Sequence, residues 1–503
     1  MSRYNFYYDE SEHSRKINYT TVSASNYYDN FITTIVGWKD GFEKDIICKY
    51  REFEDGYKDR KDKNGELKSL TLKQSQFKFG FASLNKGNVK FVDDFLSLYD
   101  ENTKLYFSVN SKIEYIILQL FEGYKNSFIL DADALKYSII KALNMYQPDE
   151  VIKSIYESPE DLVSILRKFF RQKIEANKSN IVLKKQENAA FEQILYVLDD
   201  IDSVAEIQWN YCMPFDGFLK YLKEEKIVDY SLILDKEGKE NEDSNTLLAA
   251  RKMGVKNVSE YNSCSYCGLR MADMTAGIIA KLMKALCDSM RYHCASEETT
   301  KKLLDVKWFE VREEQLNLYK KLYKIICQWD HAWFKSYAGV YSDDLVSFIA
   351  LLGYMSHFKS ALQIKEQGLE RQGEYFNSYT CEALSSYFDR RKSKLPIEII
   401  DNGTEDYFYN NQGAKVYYDI KKQPELLINE EGVFVEVLSV GLDRQIFPLV
   451  TLLKEGQAVC YKLPEELKDW AITIVGFANQ GENLFPAKVK FSKLNGQYYA
   501  DIL

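Results

Sequence analysis

A long apolar run is the first thing this 503-residue sequence lacks: its longest, Leu345 to Met355, falls well short of the roughly 20 residues a spanning helix needs. The opening MSRYNFYYDE also lacks the basic-then-apolar order of a secretory leader, so the sequence predicts a soluble, cytoplasmic protein with no membrane partner. A basic excess is missing too. With a net charge of −9 the chain has no general cationic coat for nucleic acid, and any phosphate contact must come from a local patch. Nine cysteines, an odd number scattered along the chain, do not form a disulfide framework and read as reduced thiols. There is no repeat of fixed period and no long low-complexity tract. What is present is 46% hydrophobic content over a length that suits two to four domains.

Tyr4, Phe6 and Tyr8 alternate as one face of a strand, and FITTIVGW (31 to 38) is a β-branched run placed to pair with it. REFEDGYKDRKDKNGELK, between Lys49 and Lys68, reads as an exposed connection turning at Asn64-Gly65. Helical spacing at 89 to 99, a strand at 105 to 109 and helical recurrence over 134 to 198 follow. VDYSLIL then ends at Asp235, and Ser244 caps a helix through Lys252. Met271 to Met290 reads as a buried helix, and 300 to 392 continues helical. Five of the eight prolines lie in the last 108 residues, among short runs such as VFVEVL, QAVCYKL and AITIVGF, which predicts a small all-β sandwich or barrel. The expected organisation is an α/β domain over 1–295 with a helical insertion at about 110–200, a helical domain over 296–394, and the β domain over 395–503.

Four acids fall where a structured element meets a loop: Asp9 closing the first strand, Glu66 after the charged connection, Asp235 closing a later strand, and Asp273 opening the apolar helix. Grouped carboxylates repel one another unless a cation or proton relieves them, and hard oxygen ligands suit Mg²⁺ or Mn²⁺. Each acid alone is better read as a solvated surface group, and only their convergence favours a site.

Asp9-Glu10-Ser11 after a strand, Glu66-Leu67-Lys68 after an early insertion, SLILD ending at Asp235, and SCSYCGLRMADMTAG around Asp273 together resemble domain-of-unknown-function family 3800, over residues 1–290. That resemblance implies a ribonuclease H-like fold and a metal-dependent nuclease acting on DNA or RNA with two Mg²⁺ or Mn²⁺ ions. It further implies Asp9, Glu66, Asp235 and Asp273 as metal ligands and catalytic residues, with Lys68 facing the scissile phosphate. A setting in bacterial defence or a mobile element is part of the same implication. Arg270 and Met271 stand where the family has Gln before Ala-Asp, so Arg270 either weakens ion binding or holds a phosphate. Glu10 and Glu12 stay open as ligands, supporting groups or turn residues, because strand neighbours of Asp9 point the other way.

Other features have bland readings. Cys264 and Cys267 make one CxxC pair, with Cys287, His293 and Cys294 downstream, but no second correctly spaced pair completes a zinc site. His13 reads as an exposed loop residue. Arg167, Lys168, Arg171 and Lys173, beside Phe169 and Phe170, suit a solvated helix face better than a nucleic-acid groove. Two further classes remain: a catalytically silent scaffold docking a protein through its helical or β domain, and a phosphohydrolase acting on a nucleotide.

Overall fold

The computed structural model describes the chain except residues 1–2, 12–18, 23–26, 122–131, 200, 202–211, 237–241, 293–301, 395–397, 402–405, 410–414, 418–423, 443–446, 455–456, 480–483 and 495. Two compact units divide it, residues 1–120 with 137–387 and residues 121–136 with 388–503. Among the described residues no helix is long and apolar enough to cross a membrane.

The first unit is mixed α/β. Its strands are β1 (Tyr4–Ser11), β2 (Asn30–Lys39), β3 (Lys78–Phe81), β4 (Thr103–Ser111), β5 (Tyr230–Asp235), β6 (Val258–Tyr261) and β7 (Ser336–Ala338). All but β3 form one sheet in the order β6-β5-β1-β2-β4-β7. The β1-β2 and β2-β4 pairs are antiparallel, and β5, β6 and β7 join in parallel. The two aromatic runs near the start do pair, from Tyr4 opposite Lys39 to Ser11 opposite Ile32. Both faces of β1 are covered, which is why its apolar residues run almost without interruption. Phe6 and Tyr8 pack with Ile35 and Tyr106 against Phe215, Phe218 and Tyr221 of the helix Met213–Glu224. Tyr7 belongs to the larger core on the opposite face, beneath the 24-residue helix Cys267–Met290. That helix comes close because its residue nearest Tyr7 is Gly268: a Cβ there would lie 2.2 Å from the Tyr7 ring.

Helices fill the connection from β4 to β5. In Leu162–Asn177 the apolar side buries Leu162, Leu166, Phe169 and Phe170. Its basic side makes local pairs, Arg167 with Asp199 at 3.1 Å and Lys168 with Glu150 at 2.8 Å.

Several elements differ from the sequence-based expectation. Lys49 to Gly56 belongs to the helix Glu43–Gly56, whose inward residues Ile46, Tyr50, Phe53 and Glu54 are masked in the sequence by the charges on its outer side. Most of 296–394 lies in the first unit: β7 extends the sheet, and Phe348 of the helix Asp343–Ser356 meets Phe107 of β4 at 6.2 Å. At three residues β7 is too short to leave an alternation signal.

The second unit contains a small antiparallel sheet of β8 (Glu398–Asp401), β9 (Asp406–Tyr409) and β10 (Lys415–Tyr417). A five-stranded antiparallel sheet follows, built from β11 (Val433–Leu442), β12 (Pro448–Lys454), β13 (Gln457–Lys462), β14 (Ala487–Leu494) and β15 (Gln497–Ile502), in the order β13-β12-β11-β14-β15. The unit is not all-β. AITIVGF, which reads as a strand, lies in the helix Lys468–Asn479, because Leu467, Ala471, Ile474 and Val475 recur at helical spacing and bury against the sheet. Asn402-Gly403 and Gln412-Gly413, which read as turns in the sequence, lie outside the described residues.

Candidate acidic site

The sheet brings two of the four acids side by side. The parallel β1-β5 ladder runs to Tyr8 opposite Leu234, so Asp9 and Asp235 are the next residues on adjacent strands. Residues in register this way sit about 5 Å apart at Cα and project from the same face. That face is the one covered by the helix Cys267–Met290. Thr34, opposite Asp9 on β2, donates its hydroxyl to the Ala272 carbonyl at 2.8 Å, which fixes the helix over the strand end one residue before Asp273.

Glu66 and Lys68 arrive on a loop folded by its own side chains. Gly65 adopts φ +78°, and the Asp62 carboxylate accepts from the amides of Asn64 (2.8 Å) and Glu66 (3.0 Å). The loop is tied to the helix at Ser69, whose amide and hydroxyl donate to the two oxygens of Asp273 at 2.9 and 2.8 Å. Gly277, one turn beyond Asp273, makes room: a Cβ there would stand 2.3 Å from the Ser69 Cβ.

Ser263 links the remaining groups. Its hydroxyl donates to the Glu66 carboxylate, 3.2 Å from either oxygen, and accepts from Lys68 Nζ at 2.9 Å. Its backbone N–H supports the charged form of Asp235. Lys68 also pairs with Glu66 directly at 3.0 Å.

Charge is incompletely neutralised here. Burial, and then repulsion from Asp273 and Asp235, push the Asp9 carboxyl well above the usual range, against the hydrogen bond it accepts from the Glu10 amide at 2.7 Å. Asp235 is raised by burial first; Lys68 opposes that shift, while Glu66 and Asp273 add to it. Burial alone would lower Lys68, but its bond to Glu66 and the charges of Asp273 and Asp235 outweigh it, so its affinity for the proton rises. Lys68 therefore stays an ammonium, unsuited to act as a base on Ser263 despite their contact.

Among the described residues no three Asp, Glu, His or Cys side chains are already gathered as a set that could hold a metal ion. The four acids share an electrostatic field, with Glu66 and Asp273 engaged by Lys68, Ser263 and Ser69. The donor set nevertheless suits hard divalent cations: all four groups are carboxylates, and burial, with repulsion from the other acids, makes two of them hold protons unusually tightly. Asp9, Asp235, Glu66 and Asp273 are the residues that would hold such an ion after side-chain adjustment.

The other candidates lie elsewhere. Arg270 does not face the acids: it donates to Glu54 at 2.9 Å and to the carbonyls of Ser263 (2.8 Å) and Cys264 (3.2 Å), and it lies over the Tyr50 ring. It braces the Ser263 loop. Glu10 points to the opposite face, where it accepts from the Tyr8 hydroxyl at 2.6 Å. Glu12, His13, His293 and Cys294 lie outside the described residues. Cys264 is exposed and Cys267 buried, both as free thiols, and burial pushes the Cys267 thiol up to about 11. The residues that sequence reasoning missed are Thr34, Ser69 and Ser263, which position the acids. Ser263 stood inside the motif around Asp273, but nothing in its spacing tells which acids it joins.

No family model matches the chain, and no curated protein or solved structure is significantly similar to it.

Proposed function

We propose that the first unit is a metal-dependent nuclease of ribonuclease H-like type, hydrolysing phosphodiester bonds of DNA or RNA at Asp9, Glu66, Asp235 and Asp273. The observation that carries this reading is the pair Asp9 and Asp235, next to each other on adjacent parallel strands and held above the usual carboxylate range by burial and by the other acids. Such a cluster has a deficit of positive charge that a divalent cation would fill.

Bound Mg²⁺ or Mn²⁺, two ions in the usual scheme, would activate a water and stabilise the leaving oxygen. The chain's own residues divide the rest of the work. Asp9 and Asp235 supply negative charge side by side on neighbouring strands, and Ser69 and Ser263 hold Asp273 and Glu66 in fixed orientations. Lys68 keeps one permanent cation beside them, placed to meet a phosphate as a point charge. The second unit, on this reading, selects substrate or docks a partner protein.

The test is cleavage of single- and double-stranded DNA and RNA by wild type, Asp9→Asn and Asp235→Asn, with Mg²⁺, Mn²⁺ or EDTA. Wild type should cut in either metal, and both variants should lose at least a hundredfold in rate, as expected when a charged group acting in the transition state is removed. Cleavage that persists in EDTA or in both variants refutes the assignment. Hydrolysis of a nucleotide but of no polymer selects the phosphohydrolase, and inertness toward both selects the scaffold.

A further inference from the structure

Beside the acids stands an aromatic pair that the carboxylate chemistry does not use. Tyr261 ends β6, the edge strand, directly in register with Asp235. Registered residues on parallel neighbours project from one face, so Tyr261, Asp235 and Asp9 form a row across three strands, spanning two strand spacings or about 10 Å. Tyr261 is 45% exposed. One side of its ring is backed by Tyr266, at a centroid distance of 5.1 Å. Tyr266 in turn packs on Tyr7 at 5.9 Å, and Tyr7 on Trp38 at 5.0 Å, a column of rings anchored in the core. The backbone is fixed as well, since the Tyr261 carbonyl accepts from the Lys236 amide at 3.0 Å. Tyr261 is thus a braced aromatic surface opening to solvent at the end of the row of acids.

We propose that Tyr261, backed by Tyr266, is a base-stacking shelf of the acidic site, and that the site takes single-stranded nucleic acid. The inference rests on the nuclease reading above and narrows its substrate. A strand whose phosphate lies at Asp9 and Asp235 brings a neighbouring base within reach of the Tyr261 ring. Every base has a π-face, so the shelf contributes affinity without reading sequence. In an intact duplex the bases stack on one another and leave no face free for Tyr261, so the shelf favours unpaired strands. Lys68, held by Glu66 and Ser263, meets the backbone charge.

The test is fluorescence anisotropy with a labelled 12-nucleotide single strand and its duplex, with Ca²⁺ replacing Mg²⁺ so that binding is read without cleavage. Wild type should bind the single strand more tightly than the duplex. Tyr261→Ala should weaken single-strand binding roughly tenfold, in line with the loss of one stacked base, while Tyr261→Trp keeps it. Abasic sites placed one position at a time supply a signature that a merely structural role would not give: one position should weaken wild type, and Tyr261→Ala should be indifferent to that same position. Equal binding by Tyr261→Ala, absence of a sensitive abasic position, preference for the duplex, or no single-strand binding by wild type each overturns the proposal. Failure of the nuclease reading shows separately, as stacking-dependent binding without cleavage in Mg²⁺ or Mn²⁺.

Discussion

Ser69 takes both oxygens of Asp273, through its amide at 2.9 Å and its hydroxyl at 2.8 Å, and it reaches them only because residue 277 is glycine. Gly277→Ala would drive a methyl into Ser69 and push the Glu66–Ser69 loop away from the helix. Overpacking of this kind costs about 1–3 kcal/mol. Urea unfolding should show that loss, together with at least a tenfold fall in cleavage. Ser69→Ala, which leaves the amide bond in place, should cost only about 1 kcal/mol. If Gly277→Ala unfolds and cleaves like wild type, the loop does not depend on this contact.

Arg270 and Glu54 make a second coupled pair, at 2.9 Å with side-chain exposures of 11% each. Removing Arg270 leaves Glu54, nearly buried beside Tyr50, with only the longer Lys61 pair at 3.6 Å, and breaking a buried pair costs up to about 3–5 kcal/mol. Arg270→Ala should therefore destabilise strongly, and Arg270→Ala with Glu54→Gln should recover part of the loss. Because Arg270 holds the Ser263 and Cys264 carbonyls and faces away from the acids, the kinetic defect of Arg270→Lys should fall on kcat with KM little changed. A defect confined to KM would place Arg270 against substrate.

How much of this was legible beforehand follows from the range of each interaction. Asp235 was readable as a strand end and Asp9 as a strand residue because such patterns are local, although β1 runs two residues past Asp9 to Ser11, and the aromatic run from Tyr4 to Tyr8 announces its partner at 31 to 38. The cap at Ser244, which accepts from the Leu247 amide, was readable for the same reason. Arg270 was not, since its partner lies 216 residues away and no periodicity encodes that meeting. The helix Glu43–Gly56 was hidden because its outward charges outnumber the few apolar residues that bury. AITIVGF shows the reverse failure, in which β-branched composition pointed to a strand while the spacing of Leu467, Ala471 and Ile474 followed a helix. The sheet supplied the rest, by setting Tyr261 in register with Asp235.

Lys68 serves as the internal cation of the acids, so neutralising it should have two opposite effects. Without metal, Lys68→Gln leaves Glu66 facing Asp235 and Asp273 with less compensation, and stability should fall by about 1 kcal/mol, a modest figure because the ammonium is partly exposed. With metal, the same change removes a competitor, so calorimetric titration should show Mn²⁺ binding more tightly to Lys68→Gln than to wild type. On the proposed nuclease reading cleavage should nevertheless drop, because the cation assigned to the phosphate is gone. Weaker Mn²⁺ binding by the variant would show that Lys68 does not compete with the ion.

Asp9 contributes to the pH dependence of the metal-free protein's stability. An unfolded aspartate titrates near 3.9, and the folded carboxyl titrates well above its usual range, first through burial and then through Asp273 and Asp235. The folded state therefore holds this proton more tightly than the unfolded chain does. Its contribution to stability is greatest below about pH 4 and is lost as pH rises through the folded value, with Asp235 adding in the same direction. Asp9→Asn keeps the shape and removes the titration. Thermal unfolding between pH 4 and 8 in EDTA should show the variant gaining on wild type as pH increases. Saturating Mg²⁺ should reverse the order, because wild type binds the ion more tightly and gains stability by mass action while the variant gains little. A difference between the two proteins that stays constant across this range would mean that Asp9 titrates alike in the folded and unfolded chains, and the crowding of carboxylates on which the metal reading depends would be absent.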